Sequence, residues 1–485
     1  MGTGAMQPRC ADCQVGPRQA RHAKISRYCR RRPPIRRDLM HLEDSAEGSP
    51  AAVRGRRRPS RSLRPAASGP VDPAARLTVE RLRTEYAENP LGIDVPRPRL
   101  GWILQSDQRD QRQTAYQVQV AASRASLESG TPDLWDSGRV QSADSTQARY
   151  QGRLLSSSTQ AFWRVRIWDA AGRPSLWSSP AWWETATMQP SDWQARWIGR
   201  PHRRPWPQSA ASQGARAPHG GGAPRAYVVG LGNYELSLNG RRVGTRVLDP
   251  AFTDYRRRVL YSTYDVTSLL KAGRNAVGIA LGRGRYALST PNTWRFHQAP
   301  WRVDPRALLR ISIWFADGTQ DAVTTDGSWT TRSGPTRFDS VYAGETYDAR
   351  HARTGWDRPG YQARGWTPVA TLPAPGGLLQ AQALEPMRVV DTFTPRSIAT
   401  PRPGVHVVDM GRTVVGWVRL HARGRAGARV TIRYGERLRA DGTINNDQSS
   451  IDAPIQTDTY VMAGRGEEVW VPLRRAQGAV RRPPP

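Results

Sequence analysis

Short runs of alternating apolar and polar residues, each closed by a turn, fill most of this 485-residue chain. In "AYQVQVAAS" Tyr116, Val118 and Val120 face one way and Gln117 and Gln119 the other. "FWRVRIWDAAGRPSLWS" repeats the pattern, with Trp163, Val165 and Ile167 inward, arginines outward and a turn at Ala171-Gly172. A period of two is the signature of a half-buried strand, and strands at this spacing with turns between them make antiparallel sandwiches. "NYELSLNGRRVG" adds Tyr234, Leu236 and Leu238 on one face, then Asn239-Gly240, a pair that accepts the positive φ of a tight hairpin. No amphipathic helical run is long enough to organise a domain. The chain therefore reads as all-β, with three successive antiparallel β-sandwich domains.

Composition places the boundaries. Residues 1–75 hold 16 basic and 6 acidic side chains, in runs such as "RRRPPIRRD", and read as a disordered Arg/Pro-rich tail. The first sandwich spans 77–187. A Pro/Gly/Ser-rich break at 200–224 reads as a linker, the second sandwich covers 225–372, and the third covers 384–470. Beyond it the alternation stops, and 471–485, "VPLRRAQGAVRRPPP", reads as an aberrant tail on an incomplete third unit. The net charge of +31 raises nucleic acid as a partner. Outside the tail, however, the surplus is diffuse arginine without a basic helix, which describes a solvated surface and no specific nucleic-acid site. Cys10, Cys13 and Cys29 all lie near the start, so no disulfide framework spans the sandwiches. With His22 they sketch a zinc set, but that segment has no apolar run to fold around a metal. Neither a membrane span nor a signal peptide is evident, and a cytoplasmic location is the expectation.

Two groups of acids invite a chemical reading. Asp249, Asp254 and Asp265 flank Tyr255, Tyr261 and Tyr264, the residue types that line a sugar site or hold calcium through hard oxygens. Equally, aspartate at a turn bonds backbone N–H groups nearby. Asp249, Asp254, Tyr255 and Tyr264 are the carbohydrate-binding candidates; no cofactor is expected, apart from calcium as an option in this middle sandwich. The second group lies in "VYAGETYDARHARTGWD", where Glu345 and Asp348 sit beside Tyr342 and Tyr347, with Arg350, Arg353 and Asp357 close enough to form ion pairs. Asp409, Glu436, Asp441 and Asp458 read as structural, and Trp182, Trp183, Trp193 and Trp197 as core or interdomain packing. No G-x-S-x-G elbow, P-loop or H-E-x-x-H competes.

Three blocks carry a family resemblance: "GLGNYELSLNGRRVG…LDPAFTDYRRRVLYSTYDVT", "YAGETYDAR" with "GW", and "VVDMGRTVVGWVRLHARGRAGARVTIRYGERLRADGTI…TDTYVMAG". From Leu77 to Trp470 the chain resembles the amino-terminal, non-catalytic β-domains of bacterial α-L-rhamnosidases of glycoside hydrolase family 78. The resemblance implies a fibronectin-type-III-like module followed by jelly-roll-like sandwiches. It also implies inverting hydrolysis of terminal, non-reducing α-L-rhamnose from glycosides, by two glutamates on an (α/α)6 barrel. That barrel's acidic motif is absent from this sequence, so no catalytic residue is assigned, and the chain alone is expected to be inactive. Glu345 and Asp348 then read as an ion-paired landmark. Expected partners are rhamnose-containing glycosides or polysaccharides, with no specific nucleic acid and no membrane. A stand-alone carbohydrate-binding protein is the alternative.

Overall fold

A computed structural model of the chain describes residues 77–201, the backbone of 209–217, and residues 223–315, 317–447 and 449–472. The expectations for residues 1–75, for the cysteines and for 473–485 lie outside the described residues. Among those described, the one α-helix is Arg124–Glu128; the rest is strands, turns and short 3-10 segments.

The first unit pairs Ala115–Ala121 with Gln160–Trp168 in antiparallel register, Val118 opposite Val165 and Val120 opposite Trp163. Trp135–Asp136, Val140–Gln141 and Ala181–Glu184 extend this sheet, and Thr78–Thr84, Arg99–Gln105 and Ala148–Arg149 form the second. Val118, Val120, Trp163, Val165, Ile167 and Trp183 meet in the core between them. The outer face is a polar ladder. Gln117 and Gln119 donate to the two carboxylate oxygens of Asp136 at 2.7 and 2.8 Å, and accept from Arg166 and Arg164. Those guanidinium groups lie over Trp177, so the arginine stems cover what the glutamines leave open.

The second unit stacks a seven-stranded sheet on a six-stranded one. Its central strand, Arg225–Leu231, is buried along its whole length. One face, with Ala226 and Val228, meets Leu236, Val277, Ile279, Leu309 and Trp329 between the sheets. The other, with Tyr227, Val229 and Leu231, packs on Trp193, Trp197, Tyr255 and Tyr261. A strand covered on both faces loses its polar alternation, which is why "RAYVVGL" reads as continuous apolar. The Asn239-Gly240 hairpin forms as read, with φ of 53° and 78° and Leu238 opposite Arg241.

Two boundaries are corrected. Within the expected linker, Ser209–Ala217 forms a strand between Gly273–Gly282 and Thr330–Ser333. The second unit also runs past 372, because Leu378–Ala381 pairs in parallel with Arg258–Asp265.

One sheet links this unit to the next. Thr336–Ser340 and Gly344–Asp348, inside the bounds expected for the second sandwich, form a hairpin, and Gly344–Asp348 also pairs in parallel with Thr457–Val461, which pairs with Arg429–Arg433. Gly344 permits this approach: its φ is +119°, and a Cβ there would lie 2.1 Å from the Thr457 carbonyl oxygen. The remaining strands of the third unit form three two-stranded sheets, Ser397–Arg402 with Val405–Asp409, Leu420–Arg423 with Glu467–Trp470, and Arg437–Leu438 with Ile444–Asn445.

Candidate carbohydrate-binding site

The first candidate set is split by the fold. Asp249 is buried, and its carboxylate accepts from Ser262 Oγ at 2.7 Å, Tyr264 Oη at 3.2 Å and Gln382 Nε2 at 3.3 Å, with Arg246 at 3.6 Å. Tyr264 Oη also lies 3.0 Å from Tyr234 Oη. Burial, and then the Asp249 charge, push the Tyr264 phenol up to about 12. This is a satisfied core network. Tyr255 is 1% exposed, its ring enclosed by Phe252, Tyr286 and Trp301. Stacking a sugar requires an open ring face, and neither Tyr255 nor Tyr264 has one; both are corrected to core residues.

Asp254 lies apart, held by Arg256 at 2.9 Å, and that hydrogen bond keeps its carboxyl below the usual range. Asp265 bonds the Thr267 N–H and pairs with Arg225. These aspartates are engaged separately, and among the described residues no three His, Cys, Asp or Glu side chains converge as a metal site. The geometry gives the calcium reading no support.

The second set is structural as well. Glu345 is 1% exposed, and its carboxylate accepts from Thr336 Oγ1 at 2.7 Å. Its backbone N–H donates to Asp458 Oδ1 at 2.8 Å, and Tyr434 Oη donates to Asp458 Oδ2 at 2.7 Å. Asp458 is 0% exposed, so it ties the hairpin to the third unit from inside. Asp348 takes three bonds from Arg350, two from the guanidinium and one from its N–H, and these hold its carboxyl below the usual range. The tyrosines beside these acids are covered: Tyr342 lies under Trp294, and Tyr347 packs against Tyr460 and Trp470, which also stack on each other. Asp409 and Asp441 cap turns through the Gly411 and Thr443 N–H groups, while Glu436 is exposed.

One feature escaped the sequence reading. Between the strands ending at Gly282 and starting at Arg306, the loop "RGRYALSTPNTWRFHQAPWRVDP" carries Trp294 to the surface and places the half-buried Phe296 and Trp301 beside Phe252. The Arg285 guanidinium lies over the Phe252, Phe296 and Tyr342 rings at 5.3–5.6 Å. Two tryptophans in an Arg/Pro-rich, non-alternating loop were the available signal.

Comparison with known proteins follows this architecture. Residues 79–189 match the Rha78A-like N-terminal immunoglobulin domain, 223–391 the alpha-L-rhamnosidase N-terminal domain, and 399–479 the bacterial alpha-L-rhamnosidase concanavalin-like domain. An alpha-L-rhamnosidase of Streptomyces avermitilis is 31% identical over 82% of this chain and 54% of its own length. The solved alpha-L-rhamnosidase of Dictyoglumus thermophilum superposes with a TM-score of 0.76 at 32% identity, over 83% of this chain and 46% of that one. The Streptomyces avermitilis enzyme, solved in complex with L-rhamnose, gives 0.76 at 29%, over 83% and 55%. The chain spans about half the length of the curated relatives it matches.

Proposed function

The chain carries the amino-terminal β-domains of the α-L-rhamnosidases, and from that premise we propose that residues 77–472 serve as the accessory β-region of an enzyme hydrolysing terminal α-L-rhamnose from glycosides, without supplying a catalytic carboxylate. The observation that carries this reading is the run of three rhamnosidase domains in order along one chain. Inverting hydrolysis needs one carboxyl group to protonate the leaving oxygen and another, about 6.5–9.5 Å away, to activate water on the opposite face of the sugar. The candidate acids cannot divide that work. Glu345 and Asp458 are sealed among protein partners, with no room for a sugar between them. Asp348, held ionised by Arg350, has no proton to deliver near neutral pH.

The test is nitrophenol release from an aryl α-L-rhamnoside by the purified chain, with Glu345→Gln alongside. The expected result is no turnover above the uncatalysed rate for either protein. Turnover that disappears with Glu345→Gln would place the chemistry in this β-region and end the proposal. A second reading, carbohydrate binding without cleavage, is favoured by the exposed Phe252 and Trp294 rings.

A further inference from the structure

We propose that the ring strip formed by Trp294, Phe252 and Trp301, with the arginines among them, binds an acidic saccharide chain, one in which sugars bearing carboxylates recur. Trp294 is 56% exposed and Phe252 43%, large apolar surfaces to leave in water. Neither is loose. Trp294 rests on Tyr342, ring centroids 5.3 Å apart and planes tilted by 30°, which covers one indole face. Its loop is pinned to the third unit by the Thr293 N–H on the Ser450 carbonyl, and internally by Asn292, which is buried and accepts from the Phe296 N–H. A ring presented on a fixed loop, with one face covered, offers its second face with little ordering cost, and an aromatic plane suits the C–H face of a sugar.

Charge selects the ligand class. The two loops that build the strip, residues 249–258 and 283–306, contain eight arginines against three aspartates; Arg306 is buried and Arg283 faces Asp339, which leaves six arginines. Asp249 is spent in the core and Asp254 on Arg256. Arg285 lies amid Phe252, Phe296 and Tyr342, and the exposed Arg295 and Arg302 directly follow Trp294 and Trp301 in the chain, while Arg256, over the Trp301 ring, is already paired with Asp254. Guanidinium groups take carboxylates in a planar, two-bond geometry. Rings and guanidinium groups side by side match sugar faces and carboxylates side by side. Base stacking and phosphate contacts would use the same groups. The saccharide is favoured because the rest of this β-region is that of carbohydrate-active relatives, and to that extent the inference rests on the proposed function.

The experiment is affinity electrophoresis of the full chain in gels containing polygalacturonate, dextran or no polymer, together with a fluorescence titration by oligothymidylate. Polygalacturonate is expected to retard the chain, dextran to do so far less, and added salt to weaken retention. Trp294→Ala should lower the affinity about tenfold or more with unchanged circular dichroism, since its side chain is largely in water. Arg285→Gln should weaken retention, whereas Arg149→Gln, at an exposed arginine of the first unit, should not. Wild-type retention by Trp294→Ala would overturn the proposal. So would equal loss with Arg149→Gln, equal retention by dextran, or Trp294-dependent binding of oligothymidylate alone. A Trp294-dependent dimer without polygalacturonate retention would assign the strip to a second copy and overturn it too. None of these outcomes decides the rhamnoside assay, so the two proposals fail separately.

Discussion

Glu468 shows how much one carboxylate can hold in place. It is buried, and its two oxygens accept from Tyr460 Oη at 2.7 Å and from the N–H groups of Ala463, Gly464 and Arg465 at 2.9, 2.7 and 3.1 Å. Burial pushes its pKa up, but the four donors outweigh burial and leave it below the ordinary 4.5. A carboxyl depressed on folding adds stability at pH values above its unfolded pKa, and that stability disappears as pH falls through the folded one. Glu468→Gln turns an amide NH2 toward N–H donors, and at pH 7 should cost about 1–3 kcal/mol in urea denaturation. Below pH 4.5 the wild-type advantage should shrink progressively. A gap that stays constant from pH 7 to pH 2.5 would show that the ionised group is not the source.

Between elements, the strongest polar tie joins the first two units. Glu184, at the end of the strand Ala181–Glu184, takes two bonds from the Arg225 guanidinium at 2.7 and 2.8 Å, and both side chains are 7% exposed. Ser158 Oγ with Tyr227 Oη at 2.8 Å, and the Asp94 carboxylate under the Ala381 N–H, run along the same boundary. Removing one member of a buried pair strands a charge in a place water cannot reach. Arg225→Met should therefore cost about 3–5 kcal/mol in chemical denaturation, and the double variant with Glu184→Leu should recover a good part of it. If the double variant is as unstable as the sum of two single losses, the two side chains are not coupled.

At the scale of the whole molecule, strands were legible and partnerships were not. Val118, Val120, Trp163 and Val165 declared their inward face through a period of two, and Asn239-Gly240 declared its turn through tolerated positive φ. Ser209–Ala217, "SAASQGARA", has no apolar alternation to read; the strands on either side of it supply the ladder that makes it a strand. The parallel pairing of Gly344–Asp348 with Thr457–Val461 was not legible, because pairing across more than a hundred residues leaves no local mark. The candidate site failed for a related reason. Tyr255 and Tyr264 carry the side chains of a sugar platform, yet the fold buries both, and the rings in water, Trp294 and Phe252, belong to two loops without alternation. The acids of the "YAGETYD" region work as internal ties between units, and Asp458, which holds the Glu345 N–H and the Tyr434 hydroxyl, is the acceptor at the centre of that tie. Equilibrium urea unfolding of Asp458→Ala should show a loss of about 2–4 kcal/mol, the cost of two buried donors left without an acceptor. An unfolding midpoint and slope unchanged from wild type would contradict it.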